Sequence, residues 1–122
     1  APDEVLTEIR VPKLGVGWSS HYEKFNRVAQ AWSIVGVAAV VRDNGAIAEA
    51  RVGLTNMGST PLRALAAEAA LAGAEANADA VSAAADHAAD DTDPPSDLSG
   101  QSDYRQHLAR VLTKRAVLAA LG

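Results

Sequence analysis

Residues 34–55 read IVGVAAVVRDNGAIAEARVGLT. Two runs rich in valine and alanine flank Asn44-Gly45. That dipeptide suits a two-residue type I′ turn, because both central residues of the turn need positive φ. The stretch therefore reads as a β-hairpin. Such a turn sets Asp43 against Ala46, Val41 against Ala48, Val37 against Val52 and Val35 against Leu54. Opposed residues share a face. One face then carries Val35, Val37, Ala39, Val41, Ala48, Ala50, Val52 and Leu54, all apolar. The other carries Ile34, Gly36, Ala38, Val40, Ile47, Glu49, Arg51 and Thr55, and is mixed. The wholly apolar face is the expected core side, and a one-residue slip would carry Glu49 and Arg51 into it, so the register should be firmly held. Gly36 and Gly53 also fall opposite one another in this register. Two strand-interior glycines at one spot weaken a sheet, so the pair predicts space cleared for the approach of another backbone.

The first hairpin strand is apolar on both faces, which marks an interior strand that needs a second neighbour. Ser19–Arg27 is the nearest candidate and alternates acceptably as a half-exposed strand. Trp18, Tyr22, Phe25, Ala29 and Trp32 also recur at helical spacing, but the need for a neighbour favours strand. Upstream, Val5–Val11 (VLTEIRV) alternates and predicts a short strand ended by Pro12, with Lys13–Gly17 as a connector. With nothing before it to pair, this strand suggests a fragment of a longer protein.

After the hairpin the pattern turns helical. Thr60-Pro61 offers an N-cap and a proline at the first helical position. A helix is predicted over Pro61–Ala72, with Leu62, Leu65, Ala69 and Ala72 as its apolar stripe and Gly73 closing it. Asn77–Ala89 is a second, alanine-rich helix, expected at the periphery. Asp90–Gly100 (DDTDPPSDLSG) is a loop. Ser102 is the expected cap of a last helix that runs to about Leu121. Tyr104, Leu108, Val111, Leu112 and Ala119 line its apolar side, and Arg105, Arg110, Lys114 and Arg115 lie elsewhere. Strands followed by helices give an α+β fold: an antiparallel sheet of three or four strands with three helices on one face.

Composition narrows the function classes. A net charge of −4 argues against nucleic-acid binding. The absence of cysteine excludes disulfides, thiolate metal sites and a cysteine nucleophile. No apolar run approaches the length of a membrane span, and the expected setting is the cytoplasm. His21, His87 and His107 fall on separate elements without ligand spacing. The acidic cluster Asp86, Asp90, Asp91, Asp93 and Asp97 lacks the glycine and terminal glutamate of a calcium loop. Ser19, Ser20 and His21 are adjacent on a strand and so alternate between faces, against a nucleophile and base working together.

The segments EVLTEIRVP, SSHYEKFNRVAQAWSIVGVAAVV, STPLRALAAEAALAG and DPPSDLSGQSDYRQHLARVLTKRAV, in this order and spacing, resemble the C-terminal domain of the FAD-binding medium subunit of molybdenum hydroxylases. That is the xanthine dehydrogenase and carbon monoxide dehydrogenase flavoprotein family. The resemblance spans essentially the whole chain. It implies an antiparallel sheet covered by three helices and supports a strand at Ser19–Arg27. It implies further that residues 1–14 are an exit strand and linker from a preceding FAD-binding domain, and that 15–122 are the folded domain. It also implies partners: FAD-binding domains of the same parent chain, and separate iron–sulfur and molybdenum subunits. Electrons would pass from the molybdenum cofactor through Fe–S clusters to FAD and on to an acceptor.

The resemblance further implies that this domain walls one side of the flavin ring. The matching positions are Tyr22, Lys24, Ala31 and Trp32, the last two within the loop Gln30–Ser33. Tyr22 would lie against the ring or its access route. Lys24 would favour negative charge on the reduced flavin. Many family members carry an aspartate where this chain has Ala31, so no carboxylate role is expected at that position here. The glycine-rich loops that hold FAD in the family's two preceding domains are absent from this stretch, so the domain alone is expected neither to bind FAD nor to catalyse. The competing expectation is a docking module that joins the flavin subunit to its Fe–S and molybdenum partners.

Overall fold

The computed structural model describes residues 2–122; Ala1, the first residue of the expected linker, lies outside the described residues. Four strands form one antiparallel sheet in sequence order: β1 (Trp18–Phe25), β2 (Val35–Asp43), β3 (Ile47–Thr55) and β4 (Leu62–Arg63). Helices α1 (Leu65–Leu71), α2 (Ala78–Ala85) and α3 (Ser102–Leu121) cover one face, with a 3₁₀ turn at Asp86–Ala89 after α2. The α+β architecture is the one expected. Helix α3 lies across β1 and β2, and α1 lies on β3.

The apolar face of the hairpin is the core. Val35, Val37, Ala39, Val41, Ala50, Val52 and Leu54 are buried there against Leu71, Val81, Leu108, Leu112 and Val117. The turn corrects the expected register. Only Gly45 takes positive φ, and the Asp43 carboxylate accepts from its N–H at 2.7 Å. The connection is therefore a three-residue loop, not the two-residue turn that needs positive φ twice. Val41 pairs with Ala50 and Val37 with Leu54, two residues along from expectation. A two-residue displacement leaves each side chain on its face. Nearer the turn the ladder shifts between Arg42 and Asp43, and Ala48 has no partner. Such a bulge flips the alternation, so Ile47 is buried in the core and Ala48 is half-exposed.

The same shift separates the two glycines. Gly36 faces Thr55 and Gly53 faces Ala38. The space over Gly36 is already taken by the Tyr22 and Thr55 hydroxyls, and only Gly53 has open space above it.

The strand expected at Val5–Val11 is not formed. Its apolar side chains are exposed and pair with no strand of this sheet. The strand expected at Ser19–Arg27 is present as β1, paired along its length with β2. Thr60-Pro61 does not start a helix. Leu62 and Arg63 instead pair with Leu54 and Gly53 as β4, and α1 follows without a side-chain cap. The later start rotates the stripe: Ala64, Ala67 and Leu71 are buried, while Leu65 is exposed. Glu68 explains the short strand. Its Oε1 accepts the Val52 N–H at 2.8 Å, in the place of a further β4 residue, and both its oxygens hold Arg63 at 2.6 Å. That bond raises the Arg63 pKa.

Asn77 caps α2 through the N–H groups of Asp79 and Ala80. Contrary to its expected peripheral place, α2 with the 3₁₀ turn buries Val81, Ala84, Ala85, Ala88 and Ala89. Small side chains let it sit close to α3, which offsets its low apolar content. Ser102 is not the cap of α3. It is the first helical residue, and its N–H donates to Ser96 Oγ. Ala119 is exposed rather than on the packed side, Tyr104 packs on Phe25 while staying partly exposed, and Arg105 is fully buried.

Candidate functional site

The Gln30–Ser33 loop lies between β1 and β2. Its stem is closed where the Ile34 N–H donates to the Phe25 carbonyl at 2.7 Å. Inside the stem the Ala31 N–H turns back to the Val28 carbonyl at 3.0 Å. On β1 the side chains alternate. His21, Glu23 and Phe25 sit half-buried toward α3, with Phe25 edge-on to Tyr104 at 6.4 Å between ring centroids. Tyr22 and Lys24 project from the opposite, helix-free face.

Loop and strand together enclose a cleft of about 450 Å³, lined by Tyr22, Lys24, Gln30, Ala31, Trp32, Ser33 and Thr55. All four positions singled out in the sequence, Tyr22, Lys24, Ala31 and Trp32, are brought to this one cleft. Ser33 belongs to the loop Gln30–Ser33 that the sequence already pointed to, and Thr55 on β3 is the lining residue it missed. Their hydroxyls lie 3.3 Å apart and make the floor polar. Correct pairing of Gly36 with Thr55 would have found Thr55.

The cleft presents large aromatic surface to solvent. Trp32 is 95% exposed and Tyr22 54%. An indole left so bare contributes no burial to the fold itself. No ion pair involves Lys24 among the described residues, whereas Arg42, Arg51 and Arg63 all have carboxylate neighbours. A planar aromatic ligand with an acceptor or an anionic edge suits such a lining. Nothing in the cleft resembles a phosphate cradle.

Among the described residues no group of three potential metal ligands comes together. His21 lies 3.2 Å from Glu23, His87 lies 2.9 Å from Asp90, and His107 lines a separate small cleft between α2 and α3. No helix is long and apolar enough to cross a membrane, among the described residues.

Comparison with known proteins bears on the fold and the family. Residues 20–120 match the model of the CO dehydrogenase flavoprotein C-terminal domain. The chain is 40% identical over 121 residues to the carbon monoxide dehydrogenase medium chain of Hydrogenophaga pseudoflava, covering 97% of this chain and 42% of that one. It is 31% identical over 123 residues to the xanthine dehydrogenase FAD-binding subunit of Escherichia coli O157:H7, covering 98% and 42%. The solved carbon monoxide dehydrogenase of Hydrogenophaga pseudoflava, in a form lacking the Mo-pyranopterin moiety of its cofactor, superposes with a TM-score of 0.84 at 41% identity. It covers 90% of this chain and 39% of that one. The chain thus spans about two fifths of the length of the curated relatives it matches. With its sheet order, its helical cover and its whole-length likeness, the chain belongs to the CO dehydrogenase flavoprotein C-terminal domain family, the C-terminal domain of the FAD-binding medium subunit of molybdenum hydroxylases.

Proposed function

We propose that this domain walls the ring end of a flavin site in a molybdenum hydroxylase. The observation that carries the reading is the convergence of Tyr22, Lys24, Ala31 and Trp32 on one open cleft. The residues present suit the ring of FAD and not its pyrophosphate. Two aromatic side chains and a lysine line the cleft, and the chain has no glycine-rich phosphate loop. Bound FAD would supply two-electron chemistry between Fe–S clusters and an acceptor.

The chain's own residues would act around it. Tyr22 and Trp32 would cover ring surface and exclude water. Lys24 would stabilise negative charge on the reduced ring and so raise its potential. The hydroxyls of Ser33 and Thr55 would offer hydrogen bonds to its polar edge. Ala31 can hold no proton, so proton traffic at that point would fall to solvent or to another domain.

The alternative role is docking between the flavin subunit and its Fe–S and molybdenum partners. The exposed Trp32, Val28 and Leu98 favour it. A parent enzyme carrying Tyr22→Ala and Lys24→Ala separates the two. Intact assembly with slowed flavin reduction and a lowered midpoint potential supports the flavin wall. Lost assembly supports docking. The domain alone, titrated with FAD, should leave flavin fluorescence unquenched; tight binding would refute the division of labour proposed here.

A further inference from the structure

We propose that Arg105 is a positioning residue for the cleft, holding the Gln30–Ser33 loop through the Ile34 carbonyl. Arg105 stands in the first turns of α3, and its side chain is fully buried. Its Nη1 donates to the Ile34 carbonyl, and its Nη2 donates to Asp97 Oδ1 at 2.7 Å. Asp97 is itself fixed by the N–H groups of Ser99 and Gly100 at 2.7 and 3.2 Å. A cation buried in this way is a poor device for stability alone, because an apolar side chain of similar volume serves as well or better. What the guanidinium adds is direction: two donors in a rigid fork, one on a carboxylate and one on a single peptide carbonyl.

That carbonyl ends the cleft loop, and a second side chain grips the same place. Asn56 Nδ2 donates to the carbonyls of Ser33 and Ile34 at 3.1 and 3.2 Å. Asn56 sits at φ +63°, a left-handed conformation that few residues other than glycine and asparagine accept readily. The Ile34 backbone is therefore held at its carbonyl by Arg105 and Asn56 and at its N–H by the Phe25 carbonyl, each from a different part of the fold. The opposite arm of the loop has a weaker tie, from Arg27 Nη1 to the Leu98 carbonyl at 3.4 Å. Both ties lead to the Asp97–Gly100 turn. The turn and α3 thus set where Ala31, Trp32 and Ser33 stand, although neither lines the cleft.

The functional half of this inference rests on the flavin-wall reading; the mechanical half does not. The test uses the full-length flavoprotein subunit with Asp97→Ala, the conservative Asp97→Asn, and Asn56→Gly, which removes the side chain while keeping the backbone free to hold its φ. Hydrogen exchange reads the loop, and visible absorbance and midpoint potential read the bound flavin. Asp97→Ala and Asn56→Gly should each speed exchange at residues 31–34 by about tenfold or more while β3 stays protected. Asp97→Asn keeps the acceptor and should retain most of the protection. Unchanged loop exchange in Asp97→Ala overturns the inference whatever Asn56→Gly shows, and so does a uniform rise across the whole domain. Faster loop exchange with an altered flavin spectrum supports both halves. Faster loop exchange with unaltered spectrum and potential upholds the clamp and overturns the flavin-wall reading.

Discussion

Tyr22 is seated over Gly36: a methyl group on Gly36 would stand 2.7 Å from the Tyr22 hydroxyl and equally close to Thr55 Oγ1. Both neighbours are the ends of side chains that can move. Gly36→Ala should therefore leave the domain folded, at a cost of about 1–3 kcal/mol, and push Tyr22 out of place in the cleft. On the proposed flavin-wall role, the flavin spectrum of the full-length subunit should then change while Tm falls only modestly. An unchanged spectrum would place Tyr22 away from the ring.

The bulge beside the turn gives opposite fates to two adjacent residues. Ile47 is buried and Ala48 half-exposed. Ile47→Ala should cost about 2–5 kcal/mol, and Ala48→Ser within about 0.5 kcal/mol. Urea unfolding of the two variants measures this directly. The reverse ranking would restore the two-residue turn.

Glu68 supplies the hydrogen bond that a longer β4 would have made to Val52. Glu68→Ala leaves that N–H and the Arg63 guanidinium without their acceptor and should cost about 1–3 kcal/mol. Arg63→Ala removes a half-exposed partner and should cost less than about 1 kcal/mol. Equal effects would mean that the ion pair, not the backbone bond, matters at this junction.

Acid should loosen the Asp97 turn. The Ser99 N–H, with the Arg105 guanidinium added, holds the Asp97 carboxyl below its ordinary value of 3.8. A carboxyl lowered on folding contributes stability above its unfolded pKa and loses it as pH falls through the folded one. The stability difference between the native domain and Asp97→Asn should therefore be constant above about pH 5 and shrink below about pH 4. Denaturation curves at pH 7, 4 and 3 would show it. A difference that grows in acid would reverse the sign argued here.

The sequence made the core face readable because its signal is a period: valines at 35, 37 and 41 and at 52 keep their side under any even displacement. It misplaced the turn because Asn-Gly is permissive, and the Asp43 side chain, which caps Gly45, decided between loop lengths. The helix start at Pro61 failed because a capping signal says nothing about a nearby strand edge that needs a partner. Arg105 is expected off the apolar side of its helix, yet it is buried; its acceptors lie at Ile34 and Asp97, and pairing across that separation leaves no local mark. The cleft residues came from family resemblance. Their convergence depends on the β1–β2 loop, which has no periodicity to read.

Ala48 stands outside the ladder, and this gives the hairpin tolerance to changes in length. Deleting that one residue would erase the irregularity, leave Ile47 and Ala50 alternating regularly, and move nothing in the buried layer. Homologous chains can therefore differ by a single residue here without turning the strand inside out, whereas the same deletion at Val52 would invert everything beyond it.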